Sequence, residues 1–274
     1  MSLAQAHAPV FAGSIPEIYD KYLVPLIFEP YAIDLAQRLL SLPLTNVLEL
    51  ACGTGAVTRR LSMSLADSVF IIATDLSQPM LDHASSIGTS RAVEWRQADA
   101  LQLPFDKASF DAVVCQFGAM FFPDKARAYA EVRRVLRRGG MFLFNTWDRI
   151  EDNEFTLVVH ETLAGLFPDD PPSFIARVPH GYHDLAMIRR DLAASGFSEQ
   201  PEIQTVAARS RAASARIPAM ALCQGTPIRN EIETRDAARL GAATDAAELA
   251  LAGRFGHAAV DGKIQAHVVS VNRS

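Results

Sequence analysis

The sequence contains few cysteines and no long apolar run. Cys52, Cys115 and Cys223 are the three cysteines of the 274-residue chain; they lie far apart and form no Cys-x-x-Cys pair. This argues against a disulfide framework of the kind that small secreted domains use, and against a zinc-binding pair. No stretch approaches the ~20 consecutive apolar residues that cross a bilayer, so no membrane span is expected.

The chain also lacks an excess of basic charge. Lysine and arginine number 26 against 31 aspartates and glutamates, which gives a formal net charge of −5. Nucleic-acid-binding domains are usually basic, so no nucleic-acid partner is expected. The N-terminal segment lacks the basic region and apolar core of a signal peptide, and the expected location is therefore the cytoplasm.

Short apolar runs alternate with helical stretches along the chain. The expected strands lie at 47–50, 69–73, 93–98, 112–114, 141–144, 202–207 and 264–271. The expected helices lie near 31–40, 57–66, 78–87, 125–138, 153–167, 184–195, 214–224 and 231–252. Gly139, which follows the basic end of the 125–138 segment, is expected to cap that helix. Strands that alternate with helices predict a doubly wound α/β fold, with a parallel sheet covered on both faces.

A glycine turn follows the first predicted strand. The strand runs into Gly53-Thr54-Gly55, and a helix follows. Glycines let the backbone turn tightly and approach a ligand closely. The second strand ends in Asp75, where a carboxylate can accept hydrogen bonds from ribose hydroxyls. The pattern predicts a nucleoside-containing cofactor at the carboxyl ends of the first two strands.

Two classes of cofactor compete for this turn. A dinucleotide fingerprint places Gly or Ala at the end of G-x-G-x-x-G, and Thr58 occupies that position. Glu49, in the strand end before the turn, would repel a pyrophosphate but attract an amino group and a sulfonium. Both residues favour a cationic, phosphate-free adenosine cofactor. A nucleotide-dependent oxidoreductase remains the alternative.

Four ordered motifs resemble those of the class I S-adenosylmethionine-dependent methyltransferases, most closely the small-molecule group called type 11. The motifs are LELACGTGAVT, ATDLSQPML, WRQADALQLPFDKASFDAVVCQFGAMFF and AYAEVRRVLRRGGMFLF. With the N-terminal aromatic segment, the resemblance covers about residues 15–147. It implies a Rossmann-like seven-stranded sheet of order 3-2-1-4-5-7-6 with strand 7 antiparallel. It also implies S-adenosyl-L-methionine as cofactor and methyl transfer to an unidentified small molecule.

The resemblance further implies a set of cofactor-binding residues. They are Glu49, Ala51, Gly53 and Gly55 at the methionine end; Asp75 at the ribose; Leu76 and Met80 beside the adenine; Asp99 and Ala100 at its amino edge; Gln116 and Phe117 beneath the sulfonium, facing the acceptor; and Tyr19 and Tyr22 in a segment that closes over the cofactor. Several of these have a purely structural alternative. Asp75 and Asp99 are typical turn acids, and the two tyrosines are typical core aromatics.

The sequence is interpreted as one methyltransferase-like domain with four parts. They are a helical N-terminal cap at 1–44, a cofactor-binding half at 45–147, a lid insertion at 148–182 and the C-terminal half of the sheet, with a helical insertion, at 183–274. The apolar content of 150–182 and 217–223 predicts a partly hydrophobic acceptor. The oligomeric state is not predicted.

No catalytic residue and no metal site are assigned from the sequence. A base is needed only if the acceptor must lose a proton, and His160, His180 and His183 lie in or beside the lid. A structural or surface role is the favoured interpretation for each of them. A protein that binds the cofactor and regulates without turnover is a third hypothesis.

Overall fold

The computed structural model of the chain describes residue 11 and residues 13–274. The strands are β1 (Asn46–Glu49), β2 (Phe70–Asp75), β3 (Glu94–Gln97), β4 (Phe110–Gln116), β5 (Leu136–Trp147), β6 (Glu202–Ala212) and β7 (Val260–Asn272). The α-helices are α1 (Ile15–Ile18), α2 (Glu29–Leu39), α3 (Ala56–Ser64), α4 (Gln78–Ile87), α5 (Lys125–Val135), α6 (Glu154–Leu166), α7 (Phe174–Arg177), α8 (Leu185–Ala194), α9 (Arg216–Gln224), α10 (Ile228–Asp236) and α11 (Leu240–Phe255). A π-helix spans Tyr19–Phe28, and 3-10 turns span Ala119–Phe121, Ile150–Asp152 and Ala237–Arg239.

In the described residues, these strands form one seven-stranded sheet of order β3-β2-β1-β4-β5-β7-β6. Strand β1 pairs in parallel with β2 and β4, β2 with β3, and β4 with β5, whereas β7 is antiparallel. The predicted fold class and strand order are confirmed, and every predicted strand is present. The helix expected at 231–252 is present as α10 and α11, separated by the 3-10 turn.

The central strands are buried because helices cover both faces of the parallel sheet. Val47 and Leu48 in β1 and the four residues 112–115 in β4 have no exposed surface. Their nearly continuous apolar sequence, without the alternation of a half-exposed strand, is the signal that predicted them. The ends of β1 and β4 are therefore fixed by the core.

The N-terminal segment stays helical across two prolines, residues that usually kink or end a helix. Pro25 lies inside the π-helix, and the Glu29 N–H donates to the Val24 carbonyl five residues earlier. A proline ring collides with the carbonyl four residues before it, and the wider π spacing relieves that collision. Pro30 is the second residue of α2, which follows the π-helix without a break.

The end of α5 differs from the prediction. The helix ends at Val135, not near residue 138, and β5 begins at once. Gly139 does have a left-handed φ of 76°, but it lies in β5 rather than at a helix cap. Its N–H donates to the Arg273 carbonyl at 2.6 Å, and the Arg273 N–H donates to the Gly140 carbonyl at 2.8 Å. Pairing with the end of the chain, a tertiary contact, therefore turns the last predicted helical turn into strand.

The chain divides into two compact units. The first, called here the sheet unit, comprises residues 30–146, 182–206 and 267–274. The second comprises 147–181, 207–266 and the described residues up to 29. The predicted partition into cap, cofactor-binding half, lid and C-terminal half stays a prediction. None of the described helices is both long and apolar enough to cross a membrane, and the cytoplasmic location also stays a prediction.

Within the sheet unit, the loops that follow β1 and β4 touch each other at Gly118. A Cβ added at Gly118 would lie 2.4 Å from the Ala51 Cβ and 2.7 Å from the Cys115 Sγ. Real Cβ atoms do not approach other atoms this closely, so a side chain larger than hydrogen must push the two loops apart.

We expect Gly118→Ala to lower the free energy of unfolding by about 1–3 kcal/mol, because the new methyl group overpacks this contact. Urea unfolding followed by circular dichroism measures the change. Gly241→Ala is the matched control: no atom lies within 4 Å of the Cβ it would add, and alanine favours a helix over glycine by up to ~1 kcal/mol. Equal stability of the two variants would contradict the close contact.

Candidate functional site

The turn between β1 and α3 contains a run of left-handed residues. Ala51, Gly53 and Gly55 have φ angles of 50°, 55° and 84°. A Cβ on Gly55 would lie 3.0 Å from the Trp95 ring, so glycine satisfies both the conformation and the space at this position. A positive φ is uncommon for a residue with a Cβ, such as Ala51. The tight glycine turn predicted from the sequence is therefore present, packed against a side chain of β3.

The carboxylate of Asp75, at the end of β2, links this turn to the next one. The Gly53 N–H donates to Asp75 Oδ2 at 2.8 Å, and the Ser77 N–H donates to Oδ1 at 2.8 Å. Desolvation raises the pKa of Asp75, and these backbone N–H groups oppose the rise. Asp75 thus stabilises two turns through backbone hydrogen bonds. Each carboxylate oxygen can nevertheless accept a second hydrogen bond, and a ribose hydroxyl is a donor of the kind that it accepts from.

The carboxyl of Glu49 is buried at the end of β1, with the residue only 1% exposed. The Thr58 hydroxyl donates to Glu49 Oε2 at 2.6 Å. Burial raises the pKa of Glu49 to about 8, against the lowering effect of the hydrogen bond from Thr58, and the nearby Asp75 adds to the rise. A cation beside a buried carboxyl favours its ionised form. The end of β1 is therefore built to gain from a positively charged ligand.

The loop after β4 is fixed by a hydrogen bond and a ring contact. Phe117 has a φ of 49°, and its N–H donates to Asn145 Oδ1 at 2.8 Å. Its ring meets the buried Tyr31 ring edge-on, with 5.3 Å between centroids. Gln116, the last residue of β4, is half-buried. The pair Gln116 and Phe117 thus stands at the carboxyl edge of the sheet, one strand away from Glu49.

The remaining predicted residues of the sheet unit lie at the ends of β2 and β3. Leu76 follows β2, and its carbonyl accepts a hydrogen bond from Gln97 Nε2 at 2.9 Å. Met80 is buried in α4. Asp99 and Ala100 follow β3, where the Asp99 carboxylate accepts from the Leu101 N–H at 2.9 Å. The parallel strands β1 to β4 thereby bring eleven of the thirteen predicted residues to the carboxyl edge of one sheet or to the elements that follow it.

Tyr19 and Tyr22 belong to the second unit, not to the sheet unit. Both are half-buried in the π-helix. Tyr19 stacks on Phe28 with 5.0 Å between ring centroids, and Lys21 Nζ lies 5.1 Å from the Tyr22 ring centroid. Their predicted role at the cofactor stays a prediction.

The three histidines considered as bases differ in their surroundings. His180 is buried and its Nδ1 lies 2.7 Å from the Asp148 carbonyl, which fits a structural role. His183 is exposed. His160 Nδ1 is buried and has no hydrogen-bond partner among the described residues. Across residue 11 and residues 13–274, no group of three or more His, Cys, Asp or Glu is placed to hold a metal ion.

Sequence reasoning missed the functions of two polar residues. In the sequence Thr58 is only a departure from the dinucleotide fingerprint, yet in the structure its hydroxyl donates to the Glu49 carboxyl. Its place in the first turn of the helix after the glycine turn is a signal that could have identified it. Asn145 carries no local signal, because only the pairing of β5 with β4 places it beside Gln116.

Comparison with known families identifies this arrangement. Residues 48–144 match the family model described as a methyltransferase domain. The chain therefore contains a methyltransferase domain at residues 48–144. The predicted resemblance is confirmed, and S-adenosylmethionine is the cofactor of this domain. The matched segment contains every predicted site residue except the two tyrosines.

Curated relatives and solved structures resemble the methyltransferase domain to different extents. A demethylmenaquinone methyltransferase from Lactococcus lactis is 32% identical over 172 residues, which are 61% of this chain and 66% of that protein. The chain spans about two fifths of the length of the next two curated relatives.

Two solved structures share the fold. Phosphoethanolamine N-methyltransferase 2 of Haemonchus contortus, in complex with S-adenosyl-L-methionine, has a TM-score of 0.59 and 15% identity, over 94% of this chain and 57% of that one. The YcgJ protein of Bacillus subtilis has a TM-score of 0.56 and 20% identity, over 89% and 99%.

The burial of Glu49 predicts that Glu49→Gln changes the stability of the ligand-free protein by an amount that depends on pH. The folded-state pKa is about 8 and the ordinary value is 4.5. Between these pH values the unfolded chain loses the Glu49 proton while the folded chain keeps it, so rising pH destabilises the wild type. Glutamine has no such proton. The stability of Glu49→Gln relative to wild type should therefore rise with pH from about 4.5 to about 8, by at most ~1.4 kcal/mol per pH unit.

Urea unfolding of both proteins at pH 5, 6, 7 and 8 measures this difference. The control is Glu17→Gln at an exposed position, where we expect a change within about 0.5 kcal/mol at every pH. A stability difference between Glu49→Gln and wild type that does not vary with pH would show that the carboxyl is not desolvated.

Proposed function

We propose that this chain transfers the methyl group of S-adenosylmethionine to a small-molecule acceptor. The observation that carries the proposal is the buried Glu49 carboxyl beside the glycine turn, with the Asp75 carboxylate one strand away. Two acidic groups favour an adenosyl cofactor that carries a sulfonium and an amino group. The pyrophosphate of a dinucleotide would gain no such charge pairing and would raise the pKa values of these carboxyls further, so they speak against the oxidoreductase alternative.

The residues of the turn also fit a bound ligand. Thr54, between the two glycines, is 1% exposed, and its Oγ1 has no hydrogen-bond partner within the described part of the chain. Buried hydroxyls are nearly always hydrogen-bonded in native proteins. A bound ligand with polar atoms would supply the hydrogen-bond partner that this hydroxyl lacks among the described residues.

We assign the cofactor contacts by position along the edge of the sheet. In this proposal the contacts are Glu49, Ala51, Gly53 and Gly55 for the methionine end; Asp75 for the ribose; Leu76 and Met80 for the adenine face; Asp99 and Ala100 for the adenine amino edge; and Gln116 and Phe117 beside the sulfonium. Asp75 and Asp99 keep free acceptor capacity after their backbone hydrogen bonds, which supports these two assignments.

The chain contributes mainly by positioning its ligands. The cofactor supplies a methyl group on a positively charged sulfur, and transfer to an acceptor is an in-line displacement. Holding the attacking atom behind the methyl group removes much of the entropic barrier of a bimolecular reaction. Phe117 and Tyr31 form an apolar, buried corner beside Gln116, which keeps water from the edge of the sheet. No side chain is assigned as a base.

The acceptor in this proposal is a partly hydrophobic small molecule. Two curated relatives are named a demethylmenaquinone methyltransferase and a ubiquinone/menaquinone biosynthesis C-methyltransferase, and both names refer to quinones. The apolar residues that the sequence places in 150–182 and 217–223 support the same class of acceptor. No nucleic-acid partner is proposed, and the cytoplasm is the proposed location.

Cofactor binding is tested with S-adenosylhomocysteine and NADH in isothermal titration calorimetry. We expect binding of the first and none of the second. Asp75→Asn and Gly53→Val should each weaken the binding of S-adenosylhomocysteine by about tenfold or more. Asp75→Asn removes the charged acceptor of a hydrogen bond, and Gly53→Val strains the left-handed backbone of the turn. Asp82→Asn, at an exposed position of α4, is the matched control. Wild-type affinity in both site variants would refute the proposed cofactor contacts.

Turnover is tested by transfer of a radiolabelled methyl group to phenols, quinols, lipids and amines. We expect labelling of at least one hydroxyl-bearing aromatic compound. If the protein binds S-adenosylhomocysteine but labels no acceptor, the hypothesis of a non-catalytic regulatory protein replaces this one.

A further inference from the structure

Two buried polar atoms stand unpaired on neighbouring strands at the edge of the methyltransferase sheet. Asn145, in β5, has no exposed surface, and its Nδ2 has no hydrogen-bond partner among the described residues. Gln116, at the end of β4, has a buried Oε1 that also lacks a partner there. An unpaired buried donor or acceptor is unfavourable, because it has lost its hydrogen bonds to water and gained none. Two of them in adjacent positions point to a group that is bound there.

The orientation of the Asn145 amide follows from its other hydrogen bond. The Phe117 N–H donates to Asn145 Oδ1 at 2.8 Å. A backbone N–H is always a donor, so the atom that it meets must be the amide oxygen. The amide nitrogen, which has two N–H donors, is thereby left at the unpaired position. Asn145 consequently offers a fixed donor, and the protein holds it in place through the backbone of the loop after β4.

The two side chains leave the sheet on the same face. Gln116 and Asn145 are paired in register on parallel strands, and residues so paired point to the same side of a sheet. Glu49 is paired with Val114, two residues before Gln116, so Glu49 shares that face. At ~3.3 Å per residue, the amide pair lies about 7 Å further along the strands than Glu49. It is therefore separate from the carboxyl that suits a cationic group.

We propose that Gln116 and Asn145 together bind one neutral hydroxyl group of the methyl acceptor. The hydroxyl donates its proton to Gln116 Oε1 and accepts a hydrogen bond from Asn145 Nδ2. A hydroxyl is the smallest group that both donates and accepts, so one such group satisfies both orphaned atoms. This inference rests on the proposed function and specifies its substrate class: a hydroxyl-bearing molecule.

The chemistry of the pair discriminates against charged acceptors. A carboxylate or phosphate only accepts hydrogen bonds, so it would leave Gln116 Oε1 unpaired and would face that oxygen's partial negative charge. An ammonium group only donates, so it would leave Asn145 Nδ2 unpaired. A site built to hydrogen-bond a hydroxyl rejects analogues without it strongly, because its own buried groups then lose their partners.

The test uses three compounds with one ring system, each titrated into wild type with saturating S-adenosylhomocysteine. The compounds are 1-naphthol, 1-methoxynaphthalene, which has no O–H donor, and 1-naphthoate, which is an anion. We expect 1-naphthol to bind about tenfold more tightly than either of the others, as the loss of one buried hydrogen bond predicts. Equal or tighter binding of 1-methoxynaphthalene or 1-naphthoate overturns the proposal, and so does the absence of measurable 1-naphthol binding.

The decisive variant is Gln116→Met, which has a similar shape but no acceptor. The preference for 1-naphthol over 1-methoxynaphthalene should fall from about tenfold to less than about threefold. The melting temperature should stay equal or rise, because the variant removes an unpaired buried atom. If Gln116 had only a structural role, its replacement would not lower the preference for 1-naphthol while leaving the melting temperature equal or higher. Gln37→Met, at an exposed position of α2, should leave the preference unchanged.

Asn145→Ala should also abolish the preference, but it removes the partner of the Phe117 N–H and is expected to lose stability. If Asn145→Ala does not fold, Gln116→Met alone decides the question. A full preference for 1-naphthol in Gln116→Met overturns the inference. The proposed function is judged separately, since it fails only if the wild type does not bind S-adenosylhomocysteine or transfers no methyl group.

Discussion

Burial of the Glu49 carboxyl at the end of β1 is the constraint on which the rest of the site depends. A carboxyl that is taken out of water is unfavourable in its charged form, and here burial raises the pKa to about 8. The fold tolerates it through one short hydrogen bond from Thr58. The backbone of Glu49 is held as well, because the Thr74 hydroxyl donates to the Glu49 carbonyl at 2.8 Å. The cationic cofactor of the methyltransferase family is the kind of ligand that would favour the ionised carboxyl.

Three contacts lock the loops around this carboxyl in place. Asp75 joins the turn after β2 to Gly53 in the turn after β1. Gly118 sets the loop after β4 against Ala51, and Asn145 of β5 holds the Phe117 N–H. Of the three described non-glycine residues with a left-handed φ, two lie in these loops, Ala51 and Phe117. Such strain persists only where the surroundings impose it, and it concentrates at binding sites. The contacts among the described residues therefore account for these two backbone conformations.

The sequence predicted the fold well because the signals of a parallel α/β sheet are local. A buried strand is a short apolar run, and a helix has its own period, so each strand could be found without its neighbours. The order of the strands came from the resemblance, not from these runs. Prediction failed where a tertiary contact outweighed local preference. Residues 136–138 pair with the sheet instead of extending α5, and the chain stays helical through Pro25 because a π-helix can accommodate it.

By itself the sequence determined the glycine turn, the acids at the ends of β1 and β2 and the family, because these features are adjacent in the chain or repeat a known spacing. Tertiary structure decided which polar groups meet. Thr58 reaches Glu49 only once α3 packs on the sheet, and Asn145 stands beside Gln116 only because β5 pairs with β4. The raised pKa of Glu49 likewise could not be predicted from the sequence, because desolvation depends on everything packed around the carboxyl rather than on its neighbours in sequence.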